Sequence, residues 1–354
     1  MNIQFEVKTE ENRTKGYQEA LDKCLVIAYD NYTNYDDKNC LELMKHFLQL
    51  GANPSVDDDE ILNSANALEQ VEVIQLLLEN WKEGNEAKEK ALIKAVKNKN
   101  MRIVKMFIDS GVDVTADDNA AICVASGIGT AEMVELLLKH GADPQAEDNE
   151  PICNAAANWK EPRILKLLLE NGANPKARRN TPLVEAARVG SAENVKTLLE
   201  YGVKANANDN MAIVLAASQE NPECLRLLLE NGGVANAQDD AAICAAATRN
   251  PKSIELLIKY GANIGVDDNW PICAAARAGK SENVRILCEH GADASARDNY
   301  PICAATKANS LDTVEVLLKH GADINAQGGM PLTTAINKGS DKMIVNFLLN
   351  GVEL

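Results

Sequence analysis

A glycine returns about every 30 residues along most of this chain, at positions 111, 141, 172, 202, 232, 261, 291, 321 and 351, with Gly51 two periods earlier. Self-similarity at a fixed period in this range marks a chain of stacked units, each burying its apolar face only against its neighbours. Such an array presents one long surface instead of a single pocket. The period therefore points first to binding rather than catalysis.

Composition agrees with helices packed closely on one another. The 354 residues are 46% apolar, dominated by small and aliphatic types, and only 4% aromatic, so any surface aromatic stands out. The net charge of −16 argues against direct nucleic-acid binding, which needs clustered Lys and Arg. It suits a chain that seeks basic partners or imitates a polyanion. Nine cysteines without any Cys-x-x-Cys pair make a disulfide framework or zinc site unexpected and favour a reducing compartment. The N-terminus MNIQFEVKTE lacks the apolar core of a signal peptide, and no apolar run approaches membrane-spanning length. The expected location is cytoplasmic.

The unit starting at Glu147 shows the internal logic. Asp148-Asn149 is turn chemistry, Pro151 opens a first helix, and Ile152, Cys153, Ala155 and Ala156 give it small apolar contacts. Ile164, Leu165, Leu167, Leu168 and Leu169 form the apolar face of a second helix, which Gly172 ends in the left-handed conformation. Asn174-Pro175 then leads into the next turn.

These residues resemble the ankyrin repeat. Its Thr-Pro-Leu-His-x-Ala-Ala hallmark appears as Thr181-Pro182-Leu183-Val184-Glu185-Ala186-Ala187, and as Pro-Ile-Cys-x-Ala from Pro151, Pro271 and Pro301. The Gly-Ala-Asp/Asn ending recurs at Gly141, Gly261 and Gly321. The resemblance covers roughly residues 38–354 and implies an all-α repeat solenoid that binds proteins. The family period is about 33, and the three residues missing here fall in the finger between turn and helix. The fingers are therefore expected to be truncated to turns such as Asp298-Asn299-Tyr300, as in viral ankyrin arrays. About eleven helix-turn-helix units are expected. Residues 1–56 are an atypical N-terminal capping unit, 57–326 the array, and 327–354 a C-terminal capping repeat. Residues 1–50 divide into a helix over 17–29, a polar loop over 31–39 and a second helix over 40–50. Residues 81–90 replace the usual Gly-Ala-Asp link, so the stack is expected to break or bend there.

Several repeated slots could carry function. Cys123, Cys153, Cys244, Cys273 and Cys303 hold the position where the family has His; Val184, Val214 and Thr333 take it elsewhere, which reads as small buried packing. His140, His290 and His320 precede capping glycines, as helix-end groups do. No catalytic, cofactor-binding or metal constellation emerges from the sequence. The turn acids Asp118, Asp148, Asp209, Asp239, Asp268 and Asp298 are either turn chemistry or a row of carboxylates for a basic partner. The slot before the first helix reads Ala120, Glu150, Thr181, Met211, Ala241, Trp270, Tyr300 and Met330. Two aromatics and a methionine in consecutive layers are typical of binding hot spots, or else cover the short fingers. Alongside stand Arg178, Arg179, Arg188, Arg249, Arg277, Arg297 and Lys307, which the resemblance places on the same concave finger and first-helix face.

The leading expectation is a non-catalytic scaffold that binds, and by occupancy inhibits, a partner protein through that face. Two alternatives stay open. One is a viral or bacterial host-directed antagonist acting as an acidic decoy; the other is a sequestering protein for an anionic small ligand. The sequence does not set the partner's identity or the oligomeric state. Ile3-Phe5-Val7 alternates like a strand.

Overall fold

The computed structural model describes residues 10–35, 39–81, 84 and 86–352; the Ile3-Phe5-Val7 alternation lies outside them. Every regular element among these residues is helical, and 22 α-helices fall into eleven pairs. Their contacts divide the chain into two units near residue 151.

In the N-terminal unit the pairs are α1 (Glu10–Tyr35) with α2 (Asn39–Gln49), α3 (Val56–Ala67) with α4 (Val71–Asn80), α5 (Glu86–Lys97) with α6 (Met101–Asp109), and α7 (Ala116–Ile128) with α8 (Ala131–Lys139). First helices pack on first helices, α1 on α3, α3 on α5 and α5 on α7, while α2, α4 and α6 form the second row. The helix expected over 17–29 is longer and takes in residues 31–35 of the predicted polar loop, where tertiary contacts hold it: Tyr29 is buried and Gln70 Nε2 donates to Thr33 Oγ1 at 3.2 Å. Residues 36–38 of that loop lie outside the described residues. Nor does the irregular link break the stack, since α3 still packs on α5 and α4 on α6. Trp81 is extended there, donates from Nε1 to the Gly84 carbonyl at 3.0 Å and lies under the Lys88 ammonium.

The pair α9 (Ala146–Ala157) and α10 (Pro162–Glu170) leads into the C-terminal unit. There follow α11 (Ala177–Arg188) with α12 (Ala192–Glu200), α13 (Met211–Ala217) with α14 (Glu223–Glu230), and α15 (Ala237–Ala247) with α16 (Pro251–Lys259). The last three pairs are α17 (Val266–Arg277) with α18 (Ser281–Glu289), α19 (Ala296–Lys307) with α20 (Leu311–Lys319), and α21 (Ala326–Asn337) with α22 (Asp341–Leu349). Again α11, α13, α15, α17, α19 and α21 stack in one row and α12, α14, α16, α18 and α20 in the other. Alanines fill the first row, Ala186, Ala216, Ala246, Ala275 and Ala305 being fully buried. Aliphatics fill the second, with Leu198, Leu228, Leu257, Leu287 and Leu317 at the same slot. A small residue lets backbones approach and a large one fills the space behind.

The finger is a three-residue turn as expected, but lies one residue earlier. In the unit containing Tyr300, the turn is Arg297-Asp298-Asn299, all three with φ between 55° and 57°, and Tyr300 is already helical. The same left-handed triplet occurs at Asp117-Asp118-Asn119, Glu147-Asp148-Asn149, Arg178-Arg179-Asn180, Gln238-Asp239-Asp240 and Asp267-Asp268-Asn269, and at Gln327-Gly328-Gly329. A left-handed residue costs about 1–2 kcal/mol unless it is Gly or, more mildly, Asn or Asp, which explains the Asp-Asn signature. The third side chain then ties its layer to the next. Asn119, Asn269 and Asn299 accept through Oδ1 from the backbone N–H of Asp143, Asp293 and Asp323 at 2.8, 3.0 and 2.8 Å. Asn210 and Asp240 do the same for Val234 and Asn263 at 2.8 and 2.7 Å. Each receiving Asp or Asn in turn accepts from the N–H two residues on, as Asp293 and Asp323 do from Ser295 and Asn325.

This arrangement sets an ordering of mutational costs. Asn299→Gly keeps the left-handed turn and loses one hydrogen bond, so about 1 kcal/mol of stability is expected to go. Asn299→Ala loses the bond and also strains the backbone, and is expected to cost about 2 kcal/mol. Urea unfolding followed by far-UV circular dichroism checks the order; equal losses would mean that the backbone conformation carries no cost.

Candidate functional site

The finger and first-helix face of the last three layers forms a groove of about 830 Å³. Its walls are Tyr300, the residue opening the helical part of α19, and Met330, its equivalent on α21. Its floor is the helix α19 itself, through Cys303, Ala304 and Ala308 at its end, all short enough to leave space between the layers. Around the apolar floor stand Arg277, Lys307 and Lys338, with Gln327, Thr334 and Asn337 completing the rim. Among the described residues the groove has no acidic lining, and none of these three cations is engaged in an ion pair. In a chain of net charge −16 this is a local inversion of sign.

Trp270 sits one layer back and its ring is occupied by the protein's own cations. The Arg277 guanidinium lies 5.4 Å from the ring centroid and that of Arg297 5.0 Å, contacts worth about 0.5–1 kcal/mol each at such exposure. Arg297 also donates from Nη2 to the Asp267 carbonyl at 2.6 Å and pairs with the Asp267 carboxylate at 2.9 Å. Its guanidinium thereby bridges two successive fingers. Gln238 and Gln327 occupy the same finger position as Arg297 and donate to the carbonyls of Asp209 and Asp298. Arg297 is thus committed to the stack, whereas Arg277 rests on Trp270 at the groove's edge.

The remaining candidates from the sequence lie outside the groove. Met211 opens α13 and is 37% exposed. Arg178 and Arg179 hold the first two left-handed positions of their finger, and Arg249 is exposed after α15. Arg188 donates from Nε and Nη2 to a single oxygen, Oε2, of Glu185 at 2.9 and 2.6 Å. Asp118, Asp148, Asp239, Asp268 and Asp298 occupy the central left-handed position of their turns. Two features escaped the sequence reading. Lys338 falls one residue after the slot that Arg277 and Lys307 share, so slot-by-slot comparison passes over it. Trp159 lies in the loop between α9 and α10, 60% exposed under Lys160 at 5.5 Å; as an aromatic in an Ala- and Leu-rich array it was visible from composition alone.

The cysteines of the repeated slot pack between layers: Cys273 is fully buried and Cys123, Cys153 and Cys303 nearly so. Burial pushes the thiols of Cys244, Cys273 and Cys288 up to about 11 and that of Cys224 up to about 12, and raises Cys303. A raised pKa means less thiolate: near 11, roughly one thiol in a thousand is ionised at pH 8. A thiol reagent at pH 8 is therefore expected to label these five slowly in the native protein and rapidly in urea. Equal rates in both would contradict their burial.

Residues 61–354 match the family model described as ankyrin repeats (3 copies), in overlapping segments 61–148, 119–209, 152–239, 213–298 and 272–354. The chain belongs to the ankyrin-repeat family. Among solved structures it is similar to the ankyrin repeat domain of human ASB11, at 25% sequence identity and a TM-score of 0.51, over 58% of this chain and 99% of that one. No curated protein sequence matches it. Ankyrin repeats indicate a protein-binding scaffold. No helix among the described residues is long and apolar enough to cross a membrane.

Proposed function

We propose that this chain is a non-catalytic scaffold that holds a partner protein on the finger and first-helix face of its C-terminal layers, and that it inhibits that partner by occupancy. The reading is supported above all by the groove between Tyr300 and Met330: open, apolar at its floor and bordered by three unpaired cations. A half-buried aromatic and an exposed methionine offer large contact area at little entropic cost, and the surrounding cations supply orientation and long-range steering. Arg277 is pre-positioned by its stacking on Trp270, which lowers the cost of ordering it when a partner arrives. The free cysteines fit a reducing, cytoplasmic setting.

The test is affinity capture from the native host's lysate, read by mass spectrometry, with the full chain and with Tyr300→Ala/Met330→Ala. Both side chains are part-exposed, so the double variant is expected to keep its unfolding midpoint within a few degrees. Loss of the captured protein on the folded variant supports the groove. A protein captured equally by both moves the site elsewhere. If only an anionic metabolite raises the melting temperature of the wild type, the partner is a small ligand and the protein-scaffold reading falls.

A further inference from the structure

The three groove cations belong to successive layers. Arg277 closes α17, Lys307 closes α19, and Lys338 follows α21 directly; these helices lie side by side, α17 on α19 and α19 on α21. Helices packed this closely are roughly 8–10 Å apart. A peptide in the polyproline-II conformation advances about 3.1 Å per residue with about three residues per turn, so three residues cover one layer and return the same face to the groove. A helical peptide rises only about 1.5 Å per residue and needs six or seven. Resting on the reading that this groove seats the partner, we infer that its occupant is a peptide segment in the extended polyproline-II conformation, with carboxylates at positions i, i+3 and i+6 and an apolar side chain between them. The carboxylates meet Arg277, Lys307 and Lys338 in turn, and the apolar side chain enters between Tyr300 and Met330 over Ala304 and Ala308.

The chemistry of the cations favours several carboxylates over one phosphate. A phosphate is best held by guanidinium forks that converge on one point. Here two of the three cations are lysines, and all three are distributed along the row of first helices. Such a set matches a row of separate single charges. The lining also lacks an acid that would repel them.

Fluorescence anisotropy of labelled nine-residue peptides with the full-length protein tests this. The first peptide carries Glu at positions 1, 4 and 7 and Leu at position 5. The second has the same composition with the three Glu adjacent, the third replaces Glu by Gln, and the fourth carries one phosphoserine at position 4 and no Glu. Expected is binding of the spaced peptide about tenfold tighter than the clustered one, with the Gln peptide weaker still and the preference reduced by salt. Each of Arg277→Gln, Lys307→Gln and Lys338→Gln is expected to weaken the spaced peptide about three- to fivefold, and the triple variant roughly 50-fold. All three residues are exposed, so circular dichroism is expected to show the variants folded. If the clustered peptide binds equally well and both are lost in the triple variant, the spacing is wrong while the groove remains the seat. Tighter binding of the phosphoserine peptide overturns the carboxylate assignment. Binding that ignores the triple variant, or no binding of any peptide, overturns the inference, and the lysate capture then decides the parent reading separately.

Discussion

A side-chain oxygen at the third finger position, from Asn119, Asn210, Asp240, Asn269 or Asn299, registers a layer on the next. Asn299 Oδ1 accepts the N–H of Asp323, two residues past the capping Gly321 with its φ of +92°, and Asn119 and Asn269 do the same in their layers. A glycine at φ > 0 turns the chain out of the second helix, and that turn presents an N–H to the preceding finger. The finger can reach it only because three consecutive residues are left-handed, a conformation tolerated by Asp and Asn and resisted by most others. Shortening the finger to three residues thus favours Asp and Asn, although Arg178-Arg179-Asn180 and Gln327-Gly328-Gly329 make the same turn, and much of the acidity of the finger row follows from this backbone preference.

From that register comes the identity of the surface. Because the slot before each first helix repeats, whatever stands there is displayed at the same height in every layer. Thr181, Met211 and Ala241 vary without forming a common feature, while Trp270, Tyr300 and Met330 are consecutive. They act differently. Trp270 carries two arginines on its ring, one of them locked to the finger carbonyls, and so stabilises the wall behind the groove. Tyr300 and Met330 line the groove itself. The cations there lack local carboxylates, unlike Arg226 and Arg285, which each bridge two glutamates on second helices.

Much of the fold was legible in the sequence because its determinants are local and repeated. Capping glycines, helix-opening prolines and the Ala and Leu slots each recur many times, so a single irregular unit does not obscure them. The exceptions are places where a tertiary contact acts alone: Tyr29 and the Thr33–Gln70 bond extend α1, and Trp81 bridges the irregular link. The groove was half legible. Tyr300, Met330, Arg277 and Lys307 follow from slot reading, but Lys338 is offset by one residue, and the stacking of Arg277 and Arg297 on Trp270 depends on contacts between layers. Repeat position states which face a residue occupies; it does not state whether its charge is already spent on a neighbour.

The central claim is that the partner sits on first helices and fingers at the C-terminal end. Hydrogen exchange of the full chain, alone and saturated with the protein it captures, tests it most directly. Exchange should slow over α19, α21 and the turns at 297–299 and 327–329, leaving α18, α20 and α22 little changed. Protection confined to the second helices, or to the N-terminal unit, would contradict it.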